Sequence, residues 1–294
     1  MIKQSITITL FVSLIILIVL SSFYTKKPKQ NLLWEITSPH TSEKSYLFGT
    51  IHIIEKEFFH FPELIKEKIN NSSKIIFEIP YPNISNTRDL MLLPNNGTIF
   101  SFFSEEEKMK IINWSEQNLK MNENEFLNNY GNYKLFVLNQ TIWQLAFLDK
   151  TVSYEQEIYK ITKGTTKKIE GLETIEEQID ILDKIPLEIQ KKQILTAIDS
   201  LIVNQNLMRE MQLAYKSQDL KKIYNWIQKE SENNHISLDE FLVKRNKKWL
   251  SKIVSNINTN STFIAVGAGH LAGEEGLINL LKKQGFKLKS IYIK

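Results

Sequence analysis

"SYLFGTIHIIEKEFFHFPELIKEKINNSSKIIFEI" (residues 45–79) and "TFIAVGAGHLAGEEGLINLLKKQGFKLKSIYI" (residues 262–293) share one layout. In each stretch an apolar strand runs into a G-x-x-H turn, and a helix and a second strand follow. Consecutive parallel strands require a crossover of this kind, because the chain must return to the starting edge of the sheet. The sequence therefore predicts an α/β fold in which two strand–GxxH–helix–strand units form a mostly parallel sheet.

Each G-x-x-H turn places a histidine beyond the end of an apolar strand. Sites in open parallel sheets form at the carboxyl ends of strands, so His52 and His270 are expected over one edge of the sheet if their strands are neighbours. Gly49, Gly267 and Gly269 are expected to let the chain turn sharply and to keep the space above each strand clear. The alternative for each histidine is a core residue whose ring bonds the backbone.

Two acidic residues occupy equivalent positions at strand ends. Glu78 lies near the end of "KIIFEI" (residues 74–79), and Glu173 follows "KKIEGL" (residues 167–172). A lone carboxylate on an apolar strand is costly to bury unless it is paired or binds a cation. The alternatives are that Glu78 faces solvent as an ordinary strand-end acid, and that Glu173 caps the helix that begins with "TIEEQ".

The residue types at these positions suit a metal site without sulfur ligands. The 294-residue chain contains no cysteine, which excludes thiolate ligands, cysteine nucleophiles and disulfides. Two imidazoles with one or two carboxylates fit a divalent cation such as Zn, Mn or Co. A cation of this kind lowers the pKa of a bound water and polarises a carbonyl group. The metal ligands expected from the residues are His52, His270, Glu78 and Glu173.

Several classes of function are disfavoured by the sequence. The chain lacks the G-x-S-x-G nucleophile elbow, the P-loop and the G-x-G-x-x-G fingerprint, which argues against serine hydrolases with that elbow and against nucleotide-binding enzymes. The net charge is +4, and all but three of the 37 basic residues are lysines interleaved with glutamates. This pattern is typical of solvated helix faces, so no nucleic-acid partner is expected.

The first 24 residues are predicted to be a signal peptide or a membrane anchor. Residues 5–24 carry no charge and are about long enough to span a bilayer. Lysines on the C-terminal side of this run leave the orientation of an anchor open. A linker is expected over residues 25–32 and a folded domain over 33–294. We therefore expect an extracytoplasmic protein that is secreted or anchored in the membrane.

The middle of the chain, about residues 104–250, is predicted to be a large and mainly helical insertion. It opens with Ser104 and Glu107, which have the spacing of a capping box. Breaks are expected near Pro186 and at "SENNH". The segment before it, residues 80–103, is rich in Pro and Asn and is expected to be irregular.

Five stretches in the same order carry a resemblance to a known family: "YLFGTIHI", "IIFEI", "KKIEGLETIEEQ", "LVKRNKKW" and "FIAVGAGHLAGEEGLINLLKKQGF". The chain resembles the TraB/GumN family, which is related to the Tiki metalloproteases, over roughly residues 33–293. The resemblance implies a metal-dependent α/β fold with paired G-x-x-H motifs. His52 and His270 would then be metal ligands or catalytic histidines, and Glu78 a ligand or general base.

The resemblance also implies a role for the pair "RN" in "KRNKKW". Arg245 and Asn246 match the family's pair and would orient the substrate or stabilise an oxyanion. From the helical pattern alone Arg245 reads as a surface residue. Tiki relatives are membrane-tethered peptidases that trim a secreted signalling protein, and some bacterial relatives are linked to peptide-pheromone shutdown. Residues 80–103 depart from the family pattern, so the substrate does not transfer.

Three hypotheses of function follow. The first is an extracytoplasmic metal-dependent hydrolase, a peptidase in which activated water attacks a peptide carbonyl. The second is a non-enzymatic cell-surface binder that sequesters a peptide, such as a pheromone, or a metal. The third is a hydrolase or lyase that acts on a non-peptide ester, because the predicted site does not specify the scissile bond.

Overall fold

The apolar runs of the sequence form eight short strands in the part of the chain that the computed structural model describes, residues 31–80 and 87–294. β-branched and aromatic residues are common in these runs, as is usual for strands. The strands are β1 (Leu33–Thr37), β2 (Lys44–Thr50), β3 (Ile54–Glu55), β4 (Lys74–Phe77), β5 (Thr151–Val152), β6 (Lys168–Gly171), β7 (Thr262–Gly267) and β8 (Lys287–Ile291).

Eleven α-helices surround the strands within the same described ranges. They are α1 (Glu63–Asn70), α2 (Glu105–Asn118), α3 (Glu123–Tyr130), α4 (Leu135–Gln144), α5 (Tyr154–Thr162), α6 (Ile175–Asp183), α7 (Leu187–Asp199), α8 (Leu201–Lys216), α9 (Leu220–Asn233), α10 (Lys244–Ile257) and α11 (Leu277–Lys283). A π-helical turn, Asp239–Val243, runs directly into α10, and a one-turn 3₁₀-helix, Ala268–His270, follows β7.

Six strands form one sheet in the order β6-β4-β7-β2-β1-β8, and β3 pairs with β5 separately. The first four strands of that order are mutually parallel, whereas β1 is antiparallel to both of its neighbours. Ala265 pairs with both Phe48 and Phe77, and Phe77 also pairs with Gly171. The four parallel strands are therefore level at their carboxyl ends, and the predicted mostly parallel α/β fold is confirmed.

The two G-x-x-H units are both parallel crossovers, but they span different distances. The first runs from β2 through α1 to β4, and β7 lies between its two strands. The second runs from β7 through α11 to β8, passing β2 and β1. Because β7 and β2 are neighbours, the two histidine turns leave adjacent strands, as a shared site requires.

The helical region carries the predicted capping box and contributes one strand to the main sheet. Ser104 accepts a hydrogen bond from the Glu107 backbone N–H, and the Glu107 side chain accepts one from the Ser104 N–H. β6 arises from within this region and pairs with β4 at one edge of the sheet. The region from Asn31 to Lys294 forms one compact unit.

The predicted signal peptide or anchor lies outside the described residues. Within residues 31–80 and 87–294, no helix combines the length and the hydrophobicity needed to cross a membrane.

Close packing explains the glycines of the motifs. Among the glycines of the described residues, positive φ angles occur at Gly164, Gly273 and Gly285, and the motif glycines have none, so a left-handed backbone is not what requires glycine in the motifs. A Cβ at Gly49 would lie 3.1 Å from the Cα of Ala268. The turn after β7 therefore packs directly on the end of β2, which leaves no room for a side chain at position 49.

We predict that Gly49→Ala destabilises the fold by about 1–3 kcal/mol, because a methyl group must displace backbone of the neighbouring turn. Urea unfolding followed by circular dichroism measures the effect. Combining it with Ala268→Gly removes a Cβ that would lie 3.2 Å from the new methyl group and should restore part of the loss. An unchanged unfolding midpoint in the single variant would show that the contact is not tight.

Candidate active site

The carboxyl ends of the four parallel strands bring the predicted histidines and acids to one edge of the sheet, where a cleft lies. Glu78 directly follows β4, Glu173 lies two residues beyond β6, and each histidine follows its strand within three residues. The cleft has a volume of about 120 Å³ and its walls mix polar and apolar side chains. It is lined by His52, Glu78, Gln178, Ile181, Leu182, Phe241 and Arg245.

The tautomer of His270 follows from the contacts of Asn246. The Asn246 amide nitrogen donates to the backbone carbonyls of His270 (3.2 Å) and Glu275 (2.9 Å), so its oxygen is left as an acceptor. That oxygen lies 2.7 Å from Nδ1 of His270, which must therefore be the protonated nitrogen. The lone pair of the ring is at Nε2, on the other side.

Nε2 of His270 meets the charged groups of the site. It accepts a hydrogen bond from Nη1 of Arg245 (3.1 Å) and lies 3.7 Å from Oε1 of Glu78. The ring also packs against Trp249, with centroids 4.5 Å apart. Burial lowers the pKa of His270 to about 3, although the Glu78 charge opposes this, so the ring is neutral.

Glu78 is a buried carboxylate with donors on both oxygens. Oε1 accepts from the Gly267 N–H (2.7 Å), and Oε2 accepts from Nη2 of Arg245 (2.5 Å) and from Gln178 (3.2 Å). Burial alone would raise the pKa of Glu78, but the positive charges of His52 and Arg245 and the Gly267 N–H hold it below its usual range. A Cβ at Gly267 would lie 3.1 Å from Oε1, so glycine leaves room for the carboxylate.

Glu173 holds Arg245 in place. The guanidinium donates to this carboxylate from Nη2 (2.7 Å) and Nε (3.1 Å), and the Glu173 side chain is only 1 % exposed. The indole N–H of Trp249 donates to the second oxygen of Glu173 at 3.0 Å. The same indole ring lies 4.7 Å from the guanidinium carbon of Arg245. One arginine is therefore shared by two carboxylates, Glu78 and Glu173.

His52 differs from His270 in its exposure and in its partner. Its side chain is 66 % exposed, against 4 % for His270. Nδ1 of His52 lies 3.2 Å from Oε1 of Glu155. Desolvation by the surrounding protein lowers the pKa of His52, but the hydrogen bond and charge of Glu155 outweigh it and raise the pKa to about 9. The same pairing lowers the pKa of Glu155, against the effect of its burial.

The structure divides the residues that the sequence predicts for the site into two groups. His52, Glu78 and Arg245 line the cleft, and His270 contacts the last two. Asn246 and Glu173 lie behind them, where they hold His270 and Arg245. The assignment of each as ligand, base or substrate contact stays a prediction.

Sequence reasoning missed three residues that contact the site: Glu155, Gln178 and Trp249. Each lies on a helix, in a pattern that a solvated or core-facing helix shows equally well. Glu155 also follows Ser153, the N-cap of its helix, as an ordinary first-turn acid does. The resemblance stretches "KRNKKW" and "KKIEGLETIEEQ" contained Trp249 and Gln178, which were the available signals.

The donor chemistry of the cleft fits a divalent cation. Both histidines have Nδ1 fixed by a protein partner, as metal-ligating histidines usually do. Nε2 of His270 already accepts a hydrogen bond from a cation, the Arg245 guanidinium. His52, His270 and Glu78 would hold the metal. As placed, no three His, Asp or Glu side chains among residues 31–80 and 87–294 stand at metal-binding spacing, and Arg245 lies among these groups.

A comparison with protein families decides the relationship. The model of the TraB/PrgY/gumN family matches residues 32–290, which includes both G-x-x-H turns and all the site residues above. The chain belongs to the TraB/PrgY/gumN family. The resemblance carried by the five stretches is thereby confirmed.

Curated relatives of this TraB/PrgY/gumN protein are named metalloproteases. Metalloprotease TIKI2 of Danio rerio is 20 % identical over 90 % of the chain and 62 % of the relative. The metalloprotease TIKI homolog of Amphimedon queenslandica is 22 % identical over the same shares, and TIKI2 of Xenopus tropicalis is 22 % identical over 83 % and 57 %. The chain thus spans about three-fifths of these relatives. No solved structure gave a significant match.

We predict that Arg245→Met destabilises the protein by about 3–5 kcal/mol, because it leaves Glu78 and Glu173 as buried charges without a counterion. Arg209→Met is the matched control. Arg209 lies 3.5 Å from Glu57, both side chains are 54 % exposed, and loss of that pair should cost about 1 kcal/mol or less. Urea unfolding at pH 7 compares the two. Equal effects of the two substitutions would contradict the buried network.

Proposed function

We propose that this TraB/PrgY/gumN protein is a metal-dependent peptidase that acts outside the cytoplasm. The observation that carries the proposal is the pair of imidazoles, each anchored through Nδ1, at the edge where the buried Glu78 carboxylate lies. Peptide as the substrate class is supported by relatives named metalloproteases. The uncharged run at residues 5–24 supports export or membrane attachment.

His52, His270 and Glu78 would bind the cation, and Zn, Mn or Co suits two nitrogens and a carboxylate. When bound, such a cation supplies a water of lowered pKa and polarises the substrate carbonyl. The protein's own contribution is to hold these ligand atoms in fixed positions. Asn246 keeps the proton of His270 on Nδ1. The Nε2 lone pair therefore lies on the side of the ring that faces Arg245 and Glu78.

Arg245 is placed to stabilise negative charge on a substrate oxygen. Its guanidinium lines the cleft, and Glu173 fixes it through two nitrogens. All five of its N–H bonds are shared among Glu78, Glu173, His270 and the Phe241 carbonyl, so it would act on the substrate oxygen through its fixed positive charge. Asn246, which the family resemblance also associated with the substrate, is buried behind His270 and acts on the ring.

Glu78 has two roles open to it, metal ligand or proton acceptor. Its carboxylate lines the cleft and is held ionised by Arg245 and the Gly267 N–H. If Glu78 is a metal ligand, its replacement should abolish metal binding. If Glu78 is a proton acceptor, the metal should stay bound when Glu78 is replaced. The apolar wall formed by Ile181, Leu182 and Phe241 would take an apolar substrate side chain beside these groups.

We predict that His52→Ala and His270→Ala each abolish stoichiometric metal and lower peptide hydrolysis by at least about 100-fold, since both rings are needed for one site. Metal is quantified by mass spectrometry on protein purified without chelator or nickel, and cleavage is followed with a peptide library. His40→Ala, which replaces an exposed histidine on a loop, should change neither.

Glu78→Gln separates the roles of that carboxylate in the same assays. Loss of metal assigns it as a ligand, and retained metal without turnover assigns it as the proton acceptor. Hydrolysis that persists at the wild-type rate in all three variants, with the proteins folded, would contradict the proposal.

A second candidate function is binding without catalysis. It is favoured by one observation: Arg245 already bonds Glu78, Glu173 and His270, so these three side chains have a partner without an added cation. A binder would sequester a peptide at the cell surface and release it intact. Incubation with the peptide library followed by mass spectrometry distinguishes the two, because cleaved products rule out simple sequestration.

A further inference from the structure

We infer that Glu155 is the positioning residue of His52, and that it sets the ring so that Nε2 is the nitrogen left for a metal ion or substrate. The use of that nitrogen rests on the proposed function. The positioning itself rests on the contacts of Glu155 alone. Glu155 lies in the first turn of α5, about 100 residues from the motif that it serves.

The contacts of Glu155 place a proton on one particular nitrogen of His52. Oε1 accepts from the Thr50 hydroxyl (2.6 Å) and lies 3.2 Å from Nδ1 of His52, while Oε2 accepts from the Ser153 hydroxyl (2.9 Å). An ionised carboxylate can only accept, so Nδ1 of His52 must donate to it. The side chain of Glu155 is 14 % exposed, and three donors meet it.

Buried tyrosines hold both the end of β2 that precedes His52 and the first turn of α5 that carries Glu155. Tyr215 donates from its hydroxyl to the carbonyl of Gly49 (2.8 Å), which holds the end of β2 next to Thr50. Tyr154, the neighbour of Glu155, donates to the carbonyl of His60 (3.0 Å). The two tyrosine rings pack together at 5.4 Å. The helix turn and the histidine turn are therefore held to one another through the core.

His52 needs this anchor more than His270 does. The His270 ring is enclosed by protein and is held by the neutral amide of Asn246. The His52 ring is largely exposed, so packing does not select its rotamer. A charge-assisted hydrogen bond is about twice as strong as a neutral one, and a carboxylate partner therefore suits the exposed ring. Loss of such a partner typically weakens metal binding about 10–100-fold.

The test compares Glu155→Gln with Glu157→Gln in the full chain. Glu157 lies on the same helix and pairs with Lys160, so it controls for a charge change on α5. The first readout is the ¹⁵N spectrum of the histidine rings in metal-free protein. The second is the affinity for Zn²⁺ alone, from competition with a chromophoric chelator.

We expect Glu155→Gln to shift the ring ¹⁵N resonances of His52 while those of His270 stay in place, and to weaken Zn²⁺ binding by about 10–100-fold. Thr50→Val should give a smaller shift of the same resonances, because it removes one of the donors that hold Oε1. Glu157→Gln should match wild type in both readouts.

Unchanged His52 resonances in folded Glu155→Gln overturn the inference, as do equal shifts of both histidines. If Glu155→Gln does not fold, the Thr50→Val and Ser153→Ala variants decide on the same resonances. If wild-type protein takes up no Zn²⁺, the proposed function fails on the second readout, and the ring spectrum of metal-free protein still decides whether Glu155 positions His52.

Discussion

The guanidinium of Arg245 lies between two buried carboxylates, and the carboxyl edge of the sheet depends on this one positive charge. Glu78 and Glu173 extend from neighbouring parallel strands, so without a cation between them they would repel one another in a poorly hydrated space. A planar guanidinium can bond both carboxylates and a histidine nitrogen at once, which a lysine ammonium with one nitrogen cannot do in the same geometry.

The same charge explains why a helix, and not the sheet alone, builds the site. α10 supplies Arg245 to the carboxylates, Asn246 to the ring of His270, and Trp249 one turn later to Glu173. Residues four apart lie on one helix face, so Arg245 and Trp249 reach the same carboxylate. The strands thus provide acids and histidines, and α10 provides the groups that set their charge and orientation.

Much of the fold could be predicted from the sequence, because strand ends are marked by apolar runs and by the residues that follow them. The positions of Glu78, Glu173, His52 and His270 at the carboxyl edge follow from that pattern. The sequence shows that both G-x-x-H turns place a histidine at the end of a strand. It does not show that the two rings differ in exposure. One ring is exposed and the other is buried because of distant helices, α5 and α10, whose packing no local pattern records. For the same reason a role for Arg245 in the site could be expected only from the family resemblance, and the contact of Glu155 with His52 was found only in the structure.

The register of β1 has a consequence for how the protein can be handled. β1 is antiparallel to the central strands, so Leu33 pairs with Phe48 beside the site, and Leu33 also pairs with Ile291 near the end of β8. The chain therefore enters and leaves the sheet at the edge that carries the cleft. A tag, fusion partner or solid support joined before residue 31 or after residue 294 therefore starts from the same edge of the sheet as the cleft, so its size and linker length bear on access to the site.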